Sequence, residues 1–187
     1  MNIEPLKLPG CFWLHPKAID DKRGSFIKTF VAAQYHELHL PIVFEEEYYT
    51  RSVKHALRGI HFQTPPYEYC KLVTCLYGRI RDVIVDLRVG SPQFRKHEMI
   101  ELDEEKNNVL YLSPGIAHGF LVLSEMALVA YKVTSPHAPA NDTGIRWDSI
   151  GVDWGIESPI VSPRDASFQR LEEFESPFTY THEETGS

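Results

Sequence analysis

Short runs of β-branched and aromatic residues, punctuated by proline and glycine, restrict the fold of this chain more than any other feature. The 187 residues include 13 prolines and 11 glycines, which are scattered along the whole sequence. Such a pattern is typical of an all-β sandwich or barrel. The clearest strands are predicted over residues 71–77, 79–88, 107–112, 118–124 and 126–134.

Helical patterns are scarce, and only two short peripheral helices are predicted, over residues 32–38 and 167–175. In RIRDVIVDLR (79–88), Arg81 and Asp82 interrupt the alternation of apolar residues, which predicts a bulge or a twisted strand. The length and the 43% hydrophobic content fit one core. We therefore expect a single domain over residues 1–178 and a disordered polar tail over 179–187.

The charge of the chain argues against two classes of partner. Nineteen Lys and Arg against 26 Asp and Glu give a formal net charge of −7, which disfavours a broad surface for nucleic acid or anionic membranes. The N-terminus MNIEPLKLPG lacks the basic start and apolar run of a secretory signal. No apolar stretch approaches the roughly 20 residues that span a bilayer. We expect a cytoplasmic protein.

The spacing of the cysteines and the absence of several common motifs argue against several kinds of chemistry. Cys70 and Cys75 are too far apart for a CxxC redox or zinc pair, and with Cys11 they are predicted to be buried free thiols. The sequence contains no GxSxG, Walker loop or GxGxxG motif. The common hydrolase, kinase-like and dinucleotide-binding signatures are therefore absent.

The stretch LRGIHFQ (57–63) contains the first candidate site residues. Histidine has an unperturbed pKa of roughly 6.5, which suits proton abstraction near neutral pH. Arg58 and His61 are three positions apart, so in a regular strand they face opposite sides. A bend at Gly59 would let both face one pocket.

Two further residues are predicted to face the same pocket. Lys71 opens a strand that is otherwise apolar, and a lysine in that position costs desolvation free energy unless an anion or a carboxylate meets it. In SPGIAHGF (113–120), a Pro-Gly turn precedes a strand and is expected to place His118 at the mouth of that strand, aimed inward.

Two interpretations of the polar residues stay open at this point. His61, Gln63, Glu68 and His118 could supply nitrogen and oxygen ligands to a metal ion on a β-barrel, although HFQ offers a single imidazole. The acidic run EEE (45–47) could be a solvated strand edge or could line a pocket.

The chain resembles the deoxythymidine-diphosphate-4-dehydrorhamnose 3,5-epimerase family over residues 16–177. The segments that carry the resemblance are DKRGSF (21–26), LRGIHFQ (57–63), CKLVTCLYGRIRDVIVDLRVGSPQF (70–94), YLSPGIAHGFLVLSE (111–125), GIRWDS (144–149) and SPIVSPRD (158–165). The resemblance implies a cupin-type jelly-roll β-barrel that acts without a cofactor on nucleotide-diphosphate 4-keto-6-deoxy sugars. It also implies a homodimer that exchanges N-terminal strands across a two-fold interface.

The resemblance further implies roles for individual residues. His61 would be the base, Asp165 the carboxylate that orients it, and Lys71 the cation that stabilises the enolate oxygen. The substrate-binding residues would be Arg23, Phe26, Lys28, Glu46, Tyr48, Arg58, Gln63 and His118.

The chain departs from the family pattern at four positions. The family's proton donor is a tyrosine in a Tyr-x-Pro segment, and in TSPHAP the matching residue is His137. Lys28 stands where the family commonly has glutamate, and Glu46 and Tyr48 stand where Gln and Asn are usual. These exchanges alter the hydrogen bonds that are available to a nucleotide sugar, so the usual thymidine sugar is open to question.

Three functional hypotheses follow. The first is an epimerase that inverts carbon 3, or carbons 3 and 5, with His137 or another group as the second-face acid. The second is a nucleotide-sugar 3,4-ketoisomerase on the same fold. The third is a non-catalytic protein that binds sugar nucleotides through Arg23, Arg58 and Lys71.

Overall fold

The structure is a computed structural model that describes residues 1–181, and this part of the chain is mostly β-sheet. Its thirteen strands are β1 Asn2–Pro5, β2 Phe12–His15, β3 Ala18–Asp21, β4 Gly24–Ile27, β5 Glu46–Val53, β6 Leu57–Gln63, β7 Lys71–Tyr77, β8 Arg79–Asp86, β9 His97–Asp103, β10 Val109–Leu112, β11 Ile116–Val122, β12 Met126–Val133 and β13 Asp142–Gly144. The helices are α1 Ala32–Glu37, α2 Pro163–Ala166 and the 3-10 turns Trp147–Ser149 and Leu171–Glu173.

Two antiparallel sheets form the barrel. One sheet has the strand order β1-β2-β10-β7-β12-β5, and the other has the order β13-β6-β11-β8-β9. Strands β3 and β4 pair only with each other and form a separate hairpin. Two facing sheets with short peripheral helices confirm the predicted all-β fold.

Apolar side chains fill the space between the sheets and cover both outer faces. The interior cluster includes Val73 and Leu110 from the six-stranded sheet and Ile84 and Phe120 from the five-stranded sheet. The C-terminal segment covers the outer face of the five-stranded sheet, and α1 packs on the outer face of the six-stranded sheet. The interior cluster closes one end of the barrel and leaves the other end open for a pocket.

The five predicted strands are observed with ends that differ by at most two residues, and of the two alternatives predicted for 79–88 the bulge is wrong. Strand β8 keeps an unbroken register with both β9 and β11. The alternation only looks broken because Asp82 occupies an inward position and is completely buried there. A buried polar residue, and not an extra residue, therefore interrupts the apolar pattern.

One of the two predicted helices forms and the other does not. Helix α1 lies within the predicted range 32–38, whereas residues 167–175 contain only the 3-10 turn Leu171–Glu173. The backbone of Gln169 instead pairs with Ile145 and accepts a hydrogen bond from Arg146 N. These contacts with distant residues replace the i to i+4 hydrogen bonds of a helix.

The end of the described chain is paired with the barrel. Thr179 forms a bridge with Val89, and Tyr180 N donates to Val89 O. The hydrogen-bonded chain thus continues two residues beyond the predicted boundary at 178, while residues 182–187 of the predicted tail lie outside the described residues. Within residues 1–181, none of the helices is long and apolar enough to cross a membrane.

All three cysteines are free thiols. Cys11 and Cys75 are buried, as predicted, and Cys70 is half-buried. Burial raises the pKa of Cys11 and of Cys75 to about 12. Both thiols therefore stay protonated and unreactive at neutral pH.

Candidate active site

A cavity of about 460 Å³ opens between the two sheets at the end of the barrel that the interior cluster leaves free. Both sheets contribute inward-facing side chains to it, and loops complete its mouth. Its lining consists of Glu46, Tyr48, Thr50, Arg58, His61, Gln63, Tyr69, Lys71, His118, Phe120, Tyr131, Val133, Ser135, His137, Asp142 and Arg164. This pocket collects most of the candidate residues from distant parts of the sequence.

A bulge in β6 brings Arg58 and His61 to the same side of the sheet. His61 pairs with His118 of β11, and Arg58 pairs with Phe120, so β6 advances three residues while β11 advances two. The extra residue restores the inward direction for both side chains. The predicted bend at Gly59 is therefore confirmed, and it takes the form of a bulge.

His61 and Asp165 form a hydrogen-bonded pair in the wall of this pocket. The distance from His61 Nε2 to Asp165 Oδ1 is 2.9 Å, and the second carboxylate oxygen accepts from Gly59 N at 3.0 Å. Asp165 sits in α2, where its own N–H donates to the capping Ser162 Oγ. Burial raises the pKa of Asp165, but the contacts with His61 and Gly59 outweigh burial and leave the pKa below its usual value.

The pairing defines the tautomer of His61 that suits a base. An ionised Asp165 accepts a hydrogen bond from the Nε2–H of His61, so in the neutral ring Nδ1 carries the lone pair that can take a proton. The ring is further fixed by an edge contact with Phe168, at 5.8 Å between centroids. The pair can therefore abstract a proton from a molecule in the pocket.

Lys71 enters the pocket from the opposite sheet. Its residue is only 4% exposed, and its ammonium lies 5.1 Å from the centre of the Tyr69 ring. Among residues 1–181, no carboxylate lies within ion-pair distance of its Nζ. A buried ammonium with no ion partner favours a bound anion or a developing negative charge.

His118 lies deeper than the predicted strand mouth, because β11 begins two residues earlier, at Ile116. Its Nε2 is 2.7 Å from Asp82 Oδ2, and both side chains are buried. Burial lowers the pKa of His118, against the opposing effect of Asp82, so the ring is neutral at physiological pH. A neutral imidazole bonded through Nε2 offers Nδ1 as an acceptor.

Tyr131 is a pocket residue that the sequence analysis missed. It lies on β12, in the sheet opposite His61, and its ring stacks on Tyr48 at 4.8 Å. Burial raises the pKa of Tyr131, so its hydroxyl is protonated at neutral pH and has a proton to donate. The alternation in MALVAYKV places Tyr131 on the same face as Val129 and could have identified it.

The mouth of the pocket is lined by charged and polar side chains that are more exposed. His137 is 54% exposed in its side chain, and its Nδ1 lies 3.8 Å from Asp142 Oδ2. Arg164 pairs with the same carboxylate at 2.8 Å. The acidic run EEE (45–47) is expected from the sequence either to line a pocket or to form a solvated strand edge, and its residues do both. Glu46 lines the pocket, whereas Glu47 pairs with Lys132 on the outer face.

Three predicted substrate-binding residues do not reach this pocket. Arg23, Phe26 and Lys28 lie on or next to the β3–β4 hairpin. Arg23 is exposed and pairs with Asp21 at the turn of the hairpin. Within one copy of the chain these residues are thus separate from the pocket that contains His61.

The geometry does not favour the metal alternative. His61 and His118 each pair with a carboxylate of their own, and Glu68 does not line the pocket. No group of three or more His, Cys, Asp and Glu side chains that could hold a metal ion occurs in the part of the chain that the structure describes.

Comparisons with known proteins agree on one family. A family model described as dTDP-4-dehydrorhamnose 3,5-epimerase matches residues 5–173. The dTDP-4-dehydrorhamnose 3,5-epimerase of Escherichia coli (strain K12) is 37% identical over 177 residues, which cover 92% of this chain and 96% of the relative. These matches span nearly the whole described chain.

Two solved structures extend the likeness to the fold. The first is a dTDP-6-deoxy-D-glucose-3,5-epimerase from Legionella pneumophila Philadelphia 1 in complex with dTDP-4-keto-L-rhamnose, with a TM-score of 0.90, 33% identity and coverage of 96% of this chain and 99% of that one. The second is a double mutant of a 3'-monoepimerase from Streptomyces bikiniensis in complex with dTDP, with a TM-score of 0.85, 29% identity and coverage of 90% and 86%. In that mutant a histidine and a tyrosine are replaced, and they are as far apart in sequence as His61 and Tyr131.

Proposed function

The chain belongs to the dTDP-4-dehydrorhamnose 3,5-epimerase family, and from this premise we propose how its pocket performs the reaction. It is an isomerase with the cupin jelly-roll fold of that family, and it epimerises a nucleotide-diphosphate 4-keto-6-deoxy sugar at carbon 3, or at carbons 3 and 5. The comparisons favour this activity over the ketoisomerase and the non-catalytic binder. The individual roles below are our proposal.

The reaction begins with proton abstraction by His61. The ketone at carbon 4 acidifies the neighbouring C–H bond, whose proton moves to Nδ1 of His61 while the electron pair moves onto the carbonyl oxygen as an enolate. Asp165 keeps His61 in the required tautomer and stabilises the imidazolium that forms. Lys71 stabilises the enolate oxygen with its unpaired, buried charge.

The second step returns a proton from the other face of the sugar, and we assign it to Tyr131. Inversion requires an acid on the wall opposite the base, and Tyr131 lies on the sheet opposite His61. Its phenol donates the proton to carbon and is reprotonated from water, while the imidazolium releases its proton to water. His137, the donor considered from the sequence, is half-exposed at the mouth, where bulk water competes with it.

The observation that carries this proposal is the His61–Asp165 pair facing Lys71 and Tyr131 across one cavity. The test is incubation with deoxythymidine-diphosphate-4-keto-6-deoxyglucose in deuterated water, with deuterium followed at each sugar carbon by NMR. Label at carbons 3 and 5 supports double epimerisation, and label at carbon 3 alone supports a monoepimerase. Absence of label with this substrate and with its cytidine and guanosine analogues would overturn the proposed function.

We also propose that the protein is a homodimer in which the β3–β4 hairpin completes the pocket of the partner. The hairpin pairs with no other strand in residues 1–181, and it exposes Ile19 and Phe26 at 58% and 57%. Exposed apolar side chains on a projecting hairpin suit burial against a second copy. Contact across the dimer would also bring Arg23 to a pocket that it does not reach in its own chain.

Mixing two inactive variants tests this dimer. His61→Ala lacks the base, and Arg23→Ala lacks the arginine on the hairpin. If the hairpin serves the partner's pocket, subunit exchange between the variants restores part of the activity, because mixed dimers contain one complete pocket. Sedimentation as a monomer, or no recovery after proven subunit exchange, would contradict the arrangement.

The cytoplasmic location stays a prediction, which fractionation of cells expressing the chain would check.

A further inference from the structure

Gln63 is predicted to bind substrate, but its contacts point to a different role. The residue is only 3% exposed. Both amide hydrogens are engaged, because Nε2 donates to Tyr67 O at 2.8 Å and to Pro136 O at 3.2 Å. Its Oε1 accepts from Ala138 N at 2.7 Å. The side chain therefore has no N–H left to donate to a ligand.

These bonds fasten the loop that carries His137, which we call the rim segment (residues 135–138). Gln63 holds the backbone on either side of His137, at Pro136 and at Ala138. Glu46 Oε1 accepts from His137 N itself, at 2.7 Å. Three consecutive residues are thus fixed by two side chains that line the pocket, and the His137 imidazole takes part in none of these bonds.

The depth of the pocket indicates what the imidazole of His137 meets. Lys71, His118 and Tyr131 form the buried part, so the reacting sugar must enter to that depth to reach His61. The nucleoside and its diphosphate then extend toward the mouth. His137 lies there with a half-exposed side chain.

We propose that Gln63 and Glu46 are positioning residues, an inference that rests on the proposed function. They hold the rim segment so that His137 contacts the nucleoside diphosphate part of the substrate. Fixing the segment before binding removes the entropic cost of ordering it in the complex. Loss of either positioning residue thus weakens nucleotide binding through His137, and the affinity for the nucleotide responds more than the proton transfers at His61.

A double-mutant cycle tests the coupling. The affinity for dTDP is measured by calorimetry for the wild type, Gln63→Leu, His137→Ala and the double variant. Each single change is expected to weaken binding by about tenfold, which corresponds to about 1.4 kcal/mol. Since Gln63 acts through His137, the double variant should bind no more weakly than His137→Ala. Steady-state kinetics should place the loss mainly in KM.

Two controls separate positioning from general damage. Glu46→Gln keeps an acceptor oxygen for His137 N and should restore most of the affinity that Glu46→Ala loses. Gln93→Leu makes the same change on the loop between β8 and β9, away from the pocket, and should leave the affinity for dTDP unaltered. Thermal unfolding of each variant verifies that it folds.

The binding measurements and the deuterium experiment test different proposals, so a failure of one can be told from a failure of the other. Losses of affinity that add to about a hundredfold in the double variant would overturn the positioning role, as would an unaltered affinity in Gln63→Leu or no binding of dTDP to the wild type. Absence of deuterium incorporation by the wild type would instead overturn the epimerase proposal.

Discussion

The two proposed proton transfers are carried out by two residues on opposite walls of the pocket. His61 lies on β6 with its carboxylate partner, and Tyr131 lies on β12 across the cavity. Their hydrogen bonds and burial suit them to opposite roles. Asp165 accepts a hydrogen bond from Nε2 of His61 and leaves Nδ1 facing the substrate, whereas burial raises the pKa of Tyr131 and keeps its hydroxyl proton in place.

Replacing Asp165 should impair His61, the proposed base, while its imidazole stays in the pocket. In Asp165→Asn the carboxylate that fixes the tautomer of His61 and offsets the charge of its imidazolium is lost, so we expect kcat to fall by about 10²–10⁴-fold. Initial rates and deuterium incorporation measure the effect. Asp148→Asn makes the same change in a surface pair with Arg146 and should retain activity. An Asp165→Asn enzyme of undiminished kcat would contradict the pairing.

Tyr131→Phe should separate proton removal from inversion. The base still exchanges the sugar hydrogen with solvent, but no acid stands on the opposite face, so epimer formation should fall by at least about 100-fold while deuterium incorporation persists. NMR resolves the label and the configuration in one sample. His137→Phe provides the comparison. If it loses inversion and Tyr131→Phe does not, the acid is His137.

At the scale of elements, the bulge in β6 positions His61, the proposed base. Gly59 has φ of +129°, and a Cβ built on it would lie 2.5 Å from Gly119 Cα on β11. The two glycines let strands β6 and β11 approach closely where the register shifts. The N–H of Gly59 also donates to Asp165, so the bulge positions the proposed base and its carboxylate together.

Gly59→Ala should therefore cost both stability and activity. The positive φ and the clash with Gly119 together should lower the free energy of unfolding by about 3 kcal/mol or more, measured by urea denaturation. Gly90→Ala is the matched control, because its φ is +89° but nothing lies within 4 Å of the added Cβ. It should lose about 1 kcal/mol. Equal losses in the two variants would exclude the close approach as the cause.

At the scale of the whole molecule, the buried His118–Asp82 pair links stability to pH. The pKa of His118 is lowered in the folded protein, mainly by burial, so the unfolded chain binds this proton more readily. The stabilisation is complete above the unfolded pKa of about 6.5 and is lost as the pH falls toward the folded value. One such group changes the free energy of unfolding by at most about 1.4 kcal/mol per pH unit.

Urea denaturation at pH 7.5 and at pH 5.5 checks this linkage. The wild type should be less stable at pH 5.5 by about 1 kcal/mol. His118→Gln should show a smaller difference between the two pH values, whatever its absolute stability, because it has no buried imidazole to protonate. Identical pH dependence in the two proteins would rule out His118 as the linked group.

The sequence by itself determined the fold class and most strand positions, and it named His61, Lys71 and Asp165 as candidate site residues. Strand periodicity and turn residues are local signals, and the short motifs that contain His61, Lys71 and Asp165 can be recognised within a few neighbouring residues. The tertiary structure alone decided which inward side chains meet. It placed Tyr131 opposite His61 and turned Gln63 toward the rim segment, through pairings between strands that are distant in sequence. Such contacts depend on register and long-range packing, which local patterns do not encode.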